Sequence, residues 1–131
     1  AARLTEKSGS SRRVRGGVIV YANDVKTSLA GVEAALIEAH GAVSTEVAEA
    51  LADGARVAVK TDVGVGITGI AGPTGGTDDK PVGTVCLSVS QSDGKRLTRK
   101  VQISGSRADV RDRSTTIAMH LVRRLLLGEH D

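Results

Sequence analysis

The sequence predicts a single layered α/β domain with a mixed sheet, and three observations carry that expectation. Its 131 residues are 40% hydrophobic and 25% charged, ordinary for one globular domain and too few for two. β-rich and helix-periodic segments follow one another as strand, helices, strand, hairpin and long helix, with no internal repeat and no linker. The apolar content comes from 17 Val, 16 Ala, 10 Leu and 6 Ile, with no Phe, no Trp and a single Tyr at position 21. Such a core gains its stability from many modest burials, ~1.5–3 kcal/mol for each large aliphatic, rather than from aromatic anchors.

The elements are read in order. Ala1 to Lys7 is too short to form a stable helix alone and runs into the turn cluster Ser8-Gly9-Ser10-Ser11. Val14 to Tyr21, with Val18, Ile19 and Val20 consecutive, suits a strand covered on both faces. Asn23 offers an N-cap for a short helix that Gly31 can end. Glu33 to His40 reads as one or two further helical turns closed by Gly41. Ser44 can cap a helix that sets Val47, Ala48, Leu51, Ala52 and Ala55 on one stripe. Val63 to Ile70 reads as a strand interrupted by Gly64, Gly66 and Gly69. Val82 to Ser90 and Leu97 to Ile103 form a hairpin across the turn Ser92-Asp93-Gly94. Ser106 with Asp109 resembles a capping box, and Val110, Ile117, Ala118, Leu121, Val122 and Leu125 keep helical spacing up to Gly128.

Composition excludes several functions. Without aromatic platforms the chain does not suit base-stacking nucleic-acid modules, and no nucleic-acid partner is expected. The net charge of +3 is local: the first fifteen residues carry +4, leaving about −1 for the remainder. One cysteine, Cys86, excludes an internal disulfide and a Cys-cluster zinc site. His40, His120 and His130 lack ligand spacing, so neither a metal nor another cofactor is expected. No apolar run approaches the ~18 residues of a spanning helix, no signal peptide is recognised, and a cytoplasmic location without a membrane partner is expected.

Three features invite chemistry. Gly64-Val65-Gly66-Ile67-Thr68-Gly69 matches G-x-G-x-x-G, but Ile70-Ala71-Gly72-Pro73-Thr74-Gly75-Gly76 follows where a dinucleotide site needs a helix. Seven of the thirteen residues from Gly64 to Gly76 are Gly or Pro, so the loop reads either as a tight structural turn or as a nest of main-chain N–H groups for a phosphate or an oxyanion. Thr68 would add a hydroxyl at that edge. Tyr21 and Lys26 fall at a strand end and in the next helix; taken alone, such a pair is more often packing and surface, and proton transfer would need shifted pKa values. Arg107 and Arg111, one turn apart at a helix start, either face an anion or form an exposed charged face.

Several blocks carry a resemblance. Tyr21-Ala22-Asn23-Asp24-Val25-Lys26, His40-Gly41-Ala42-Val43-Ser44 with Glu46-Val47-Ala48, Thr68-Gly69-Ile70-Ala71-Gly72-Pro73 and Lys80-Pro81-Val82-Gly83-Thr84-Val85 occur in order between about Ser8 and Leu127. Together they closely resemble the C-terminal domain of the competence/damage-inducible protein CinA, a family that includes the stand-alone nicotinamide mononucleotide deamidase PncC. The resemblance implies a three-layer α/β/α sandwich with a mixed sheet, one domain over residues 1–131, a homodimer or higher homo-oligomer, and no metal. It implies hydrolysis of the carboxamide of nicotinamide mononucleotide, a small nucleotide substrate, to nicotinic acid mononucleotide and ammonia. Tyr21, Lys26 and Thr68 then take catalytic positions around a serine nucleophile. Asn23, Gly69, Ala71, Gly72, Pro73, Gly75, Gly76, Arg107 and Arg111 are the substrate-binding candidates.

One departure accompanies these matches. The family's serine lies in a Glu-Ser-Cys-Thr-Gly-Gly segment on a helix, and residues 1–131 contain no such segment. Ala1-Ala2-Arg3-Leu4-Thr5-Glu6 resembles that helix's tail, so an N-terminally truncated domain is expected, inactive without the serine. The alternative is a non-catalytic nucleotide-binding or oligomeric interaction domain.

Overall fold

The computed structural model describes residues 1–131. Its helices are α1 (Ala2–Thr5), α2 (Asn23–Ala30), α3 (Ala34–His40), α4 (Thr45–Val59) and α5 (Arg107–Leu126); its strands are β1 (Val63–Gly69), β2 (Thr84–Gln91) and β3 (Arg96–Gln102). The strands lie in the order β1-β2-β3. α4 covers one face of the sheet, with α2 and α3 packed on it, and α5 covers the other. Helix, sheet and helix make the expected three layers.

The pleat sorts the side chains. Ile67 lies opposite Leu87 and Val65 opposite Val89 in β1 and β2, and Val89 lies opposite Leu97 in β3. Leu87, Val89 and Leu97 join Val110, Leu121 and Leu125 of α5 in the main aliphatic core. The alternate positions Ser88, Ser90, Thr98 and Arg96 face α4, where Thr98 donates to Glu49 (2.8 Å) and Arg96 pairs with Asp53 (2.6 Å). A second cluster of Ala30, Val32, Val47 and Leu51 holds α2 on α4.

Two expectations are corrected. The sheet is antiparallel throughout rather than mixed, because Val14–Tyr21 supplies no strand. That segment is extended but unpaired; Val20 packs on the second cluster while Ile19 remains 92% exposed. β-branched residues favour an extended backbone, but a strand also needs a neighbour for its N–H and C=O groups. At the start of α2, Ala22 takes the N-cap position and Asn23 is the first helical residue, its side-chain oxygen being occupied by Lys26.

The other signals agree with the structure. Gly31 ends α2 at φ 66°, Ser44 accepts from Val47 N–H, and Gly94 at φ 93° turns the β2–β3 hairpin. Ser106 closes a full capping box with Asp109 on α5. Ser106→Ala is expected to lower stability by about 1 kcal/mol, the ordinary cost of a lost N-cap, as measured by chemical denaturation. An unchanged midpoint would show that water replaces the cap.

Candidate functional site

Lys26 is the most unusual polar residue in the chain. Packing of α2 on α4 leaves it only 7% exposed. Its ammonium donates to the Tyr21 carbonyl (3.0 Å) and to Asn23 Oδ1 (3.3 Å), both uncharged, and it takes part in no ion pair. Burial disfavours its charged form and lowers its pKa from the ordinary 10.5, with nearby Tyr21 acting in the opposite direction. Tyr21 meets Lys26 through its main-chain carbonyl. Its residue as a whole is 85% exposed, and no hydrogen bond joins its phenol to the amine.

Thr68 is the second-last residue of β1, on the face toward α4. It is buried, and its hydroxyl donates to the Ala42 carbonyl at 2.7 Å, tying the strand end to the α3–α4 loop. Beyond it the chain closes a loop by Ile70 N–H to Thr84, Gly83 N–H to Ile70 and Thr77 N–H to Lys80. Between these ties the main-chain N–H groups of Ala71, Gly72, Thr74, Gly75 and Gly76 make no hydrogen bond within the protein. Gly72 and Gly75 have φ values of 79° and 91°, which other residues rarely adopt. Pro73, which has no N–H to donate, lies exposed within this run. An array of free, glycine-spaced donors is what an anion or a developing oxyanion requires.

The glycines of the G-x-G-x-x-G pattern have a different use. A Cβ on Gly64 would collide with the Ala52 carbonyl and one on Gly66 with the Ala48 carbonyl, both in the α4 backbone. These two positions let the helix lie directly on the strand, and no helix N-terminus follows them.

The remaining candidates divide between places. Gly69, Ala71 and Arg111, with Ile67, Val85 and Val110, line an open groove of about 560 Å³ between the sheet and the start of α5. Arg3 of α1 closes one side of it through Thr115 (2.7 Å) and Thr116 (2.8 Å). Arg107 donates to the Gly72 carbonyl at 3.0 Å, which makes it a brace for the glycine loop. The structure thus joins Tyr21, Asn23 and Lys26 beside α4, and Gly69, Ala71 and Arg111 on the α5 face. No hydrogen bond connects Lys26 with Thr68 or with the loop.

Lys80 is a residue whose position the sequence reading missed. Its ammonium reaches the His40 carbonyl at 2.6 Å, at the C-terminal end of α3. There, His40, Thr45, Glu46, Lys80 and Lys100 border a smaller cavity of about 230 Å³. Residues forty positions apart give no periodic signal, so only the quoted Lys80-Pro81 block drew attention to this lysine. Cys86 is fully buried, and burial pushes its thiol pKa up, the opposite of an activated nucleophile.

Comparison with known proteins gives a consistent result. The model of the CinA C-terminal domain matches residues 1–126. A CinA-like protein of Mycolicibacterium gilvum is 62% identical over 128 residues, and one of Mycobacterium tuberculosis is 57% identical over the same length; each match covers 98% of this chain. The chain spans 30% of the length of these curated relatives. A solved competence/damage inducible protein from Agrobacterium tumefaciens superposes with a TM-score of 0.91 at 35% identity, covering 93% of this chain and 74% of that one. A CinA superfamily protein from Enterobacter cloacae superposes with a TM-score of 0.86 at 29% identity, covering 93% and 72% respectively.

Proposed function

The chain belongs to the CinA C-terminal domain family, and we propose that it contributes the base and the oxyanion loop of a cytoplasmic amidohydrolase acting on nicotinamide mononucleotide. The observation that carries this reading is Lys26: a buried amine with no carboxylate partner, whose burial lowers its pKa, is better suited than an ordinary lysine to accept a proton. In the reaction, a serine hydroxyl passes its proton to Lys26 as its oxygen attacks the carboxamide carbon. The tetrahedral oxyanion is received by free N–H groups of the Ala71–Gly76 loop, while Thr68, through Ala42, fixes the strand end from which that loop leaves. As the intermediate collapses, the carboxamide nitrogen takes that proton from Lys26 and leaves as ammonia. Water then hydrolyses the acyl-serine to nicotinic acid mononucleotide and regenerates the serine. The serine belongs to the Glu-Ser-Cys-Thr-Gly-Gly segment, which is not among residues 1–131.

A non-catalytic nucleotide-binding or oligomeric role is the second reading. It is favoured by the structural use of two candidates, Thr68 holding Ala42 and Arg107 holding Gly72. Ammonia release from nicotinamide mononucleotide separates the two. The 131-residue chain is expected to give none, and the same chain preceded by the serine segment is expected to turn over. Turnover by the shorter chain would overturn the serine assignment. Silence from both, with the nucleotide still bound, would favour the second reading.

A further inference from the structure

The base and the oxyanion donors of the proposed site belong to different parts of the fold. Lys26 sits on α2, which packs against α3 and α4, whereas the free N–H groups of residues 71–76 lie in the loop between β1 and β2. Most ties of that loop run away from the helices that carry the base. Ile70 N–H donates to Thr84 and Gly83 N–H to Ile70, Gln102 of β3 donates to the Val82 carbonyl (2.6 Å), and Arg107 of α5 donates to the Gly72 carbonyl (3.0 Å). One hydrogen bond from residues 70–83 reaches the helical layer of Lys26. It runs from the Lys80 ammonium to the His40 carbonyl, at 2.6 Å.

Both ends of that contact are prepared locally. His40 is the last residue of α3, where helix carbonyls lack partners of their own and the helix dipole favours a cation. Gly41 follows at φ 78°, and a Cβ there would come within 2.9 Å of Lys80 Nζ, so glycine leaves the ammonium its place. On the loop side Lys80 is held by its own backbone, its N–H donating to Thr77 Oγ1 (3.1 Å) and its carbonyl accepting from Thr77 N–H (2.9 Å). No carboxylate pairs with the ammonium.

We propose that Lys80 is a positioning residue: by tying the turn at residues 77–80 to the end of α3, it sets the oxyanion donors of the loop at a fixed distance from Lys26. The inference rests on the amidohydrolase reading for the reaction it serves. Donors stabilise a transition state only when aimed at the atom where charge develops, and a misplacement of about 1 Å costs on the order of 10²-fold in rate. These donors act on the oxyanion rather than on the bound substrate, so the loss falls on kcat and leaves KM nearly unchanged.

The test compares Lys80→Met with Lys100→Met. Lys100 borders the same small cavity, so its loss removes a like charge without the tether. In the chain preceded by the serine segment, Lys80→Met is expected to lower kcat for ammonia release from nicotinamide mononucleotide by about 10–100-fold with KM within about threefold. Lys100→Met is expected to leave both near native. In the 131-residue chain, NMR relaxation of the backbone amides of Thr74, Gly75 and Gly76, which lie between the Arg107 brace and Lys80, reads the tether without any reaction. Their order parameters are expected to fall from about 0.85 to below about 0.6 in Lys80→Met. A native kcat in Lys80→Met overturns the proposal, as does an equal loss in Lys100→Met or an unchanged set of order parameters. If the longer native chain releases no ammonia, the amidohydrolase reading falls, and the order parameters alone then decide whether Lys80 positions the loop.

Discussion

Replacing Lys26 by methionine in the chain preceded by the serine segment is expected to lower ammonia release from nicotinamide mononucleotide by on the order of 10²–10⁴-fold, the usual contribution of a positioned general base. The same change is expected to leave stability at neutral pH unchanged or raised. Methionine keeps the apolar stem and removes a charge whose burial is unfavourable. The two acceptors it releases, the Tyr21 carbonyl and Asn23 Oδ1, belong to exposed residues that water can reach. The sign of the pH dependence follows from the lowered pKa. Between the folded value and 10.5 the unfolded chain binds the extra proton, so native stability rises with pH through that window. The advantage of the methionine variant is therefore largest below the window and shrinks above it. Catalysis needs the neutral amine, so kcat/KM is expected to rise with pH and level off below the ordinary lysine range. Thermal melting of both proteins across pH, beside the rate profile, checks both halves. A methionine variant that melts several degrees lower would make Lys26 a structural residue.

Gly66→Ala is expected to be the most damaging small substitution in the sheet. The added methyl would meet the Ala48 carbonyl, Ala52 N at 2.6 Å and Leu51 Cβ at 2.9 Å. All three belong to the α4 backbone or its immediate side chains, so no rotamer change relieves the contact and the helix must lift from the strand. Overpacking of this kind costs roughly 1–3 kcal/mol and more where backbone is involved. Against a domain stability of ~5–15 kcal/mol, a loss of about 3 kcal/mol lowers Tm by roughly 10 °C. Gly17→Ala is the control, since nothing lies within 4 Å of its added carbon and its φ is not positive; it should shift stability by less than about 0.5 kcal/mol. Equal melting of the two variants would show that α4 moves away from β1 at little cost.

The paired glycine result shows where sequence reading stops. Gly64 and Gly66 sit inside a pattern that suggests phosphate binding, and no helix follows Gly69 in the structure. What the pattern does not contain is the reason for those glycines, because the α4 residues they accommodate lie twelve to eighteen positions upstream. Gly72 and Gly75 differ: their positive φ is a local property of the loop, and the density of Gly and Pro announced it. The spacing of Tyr21 and Lys26 alone does not mark a site, and only the resemblance of the quoted blocks singles the pair out. The structure adds that the contact runs through the Tyr21 carbonyl rather than its phenol.

By itself the sequence determined α2 to α5, the caps of α4 and α5, the β2–β3 hairpin and the sorting of aliphatic side chains. Each of these depends on residues within one or two turns of one another, and short-range periodicity and hydrogen bonding record them directly. Tertiary structure alone decided that Val14–Tyr21 stays unpaired, that Lys26 is buried without a counter-charge, and that Thr68, Arg107 and Lys80 hold distant loops. Strand pairing, desolvation and loop bracing are set by which distant surfaces meet, and one position's residue type does not specify what will lie against it.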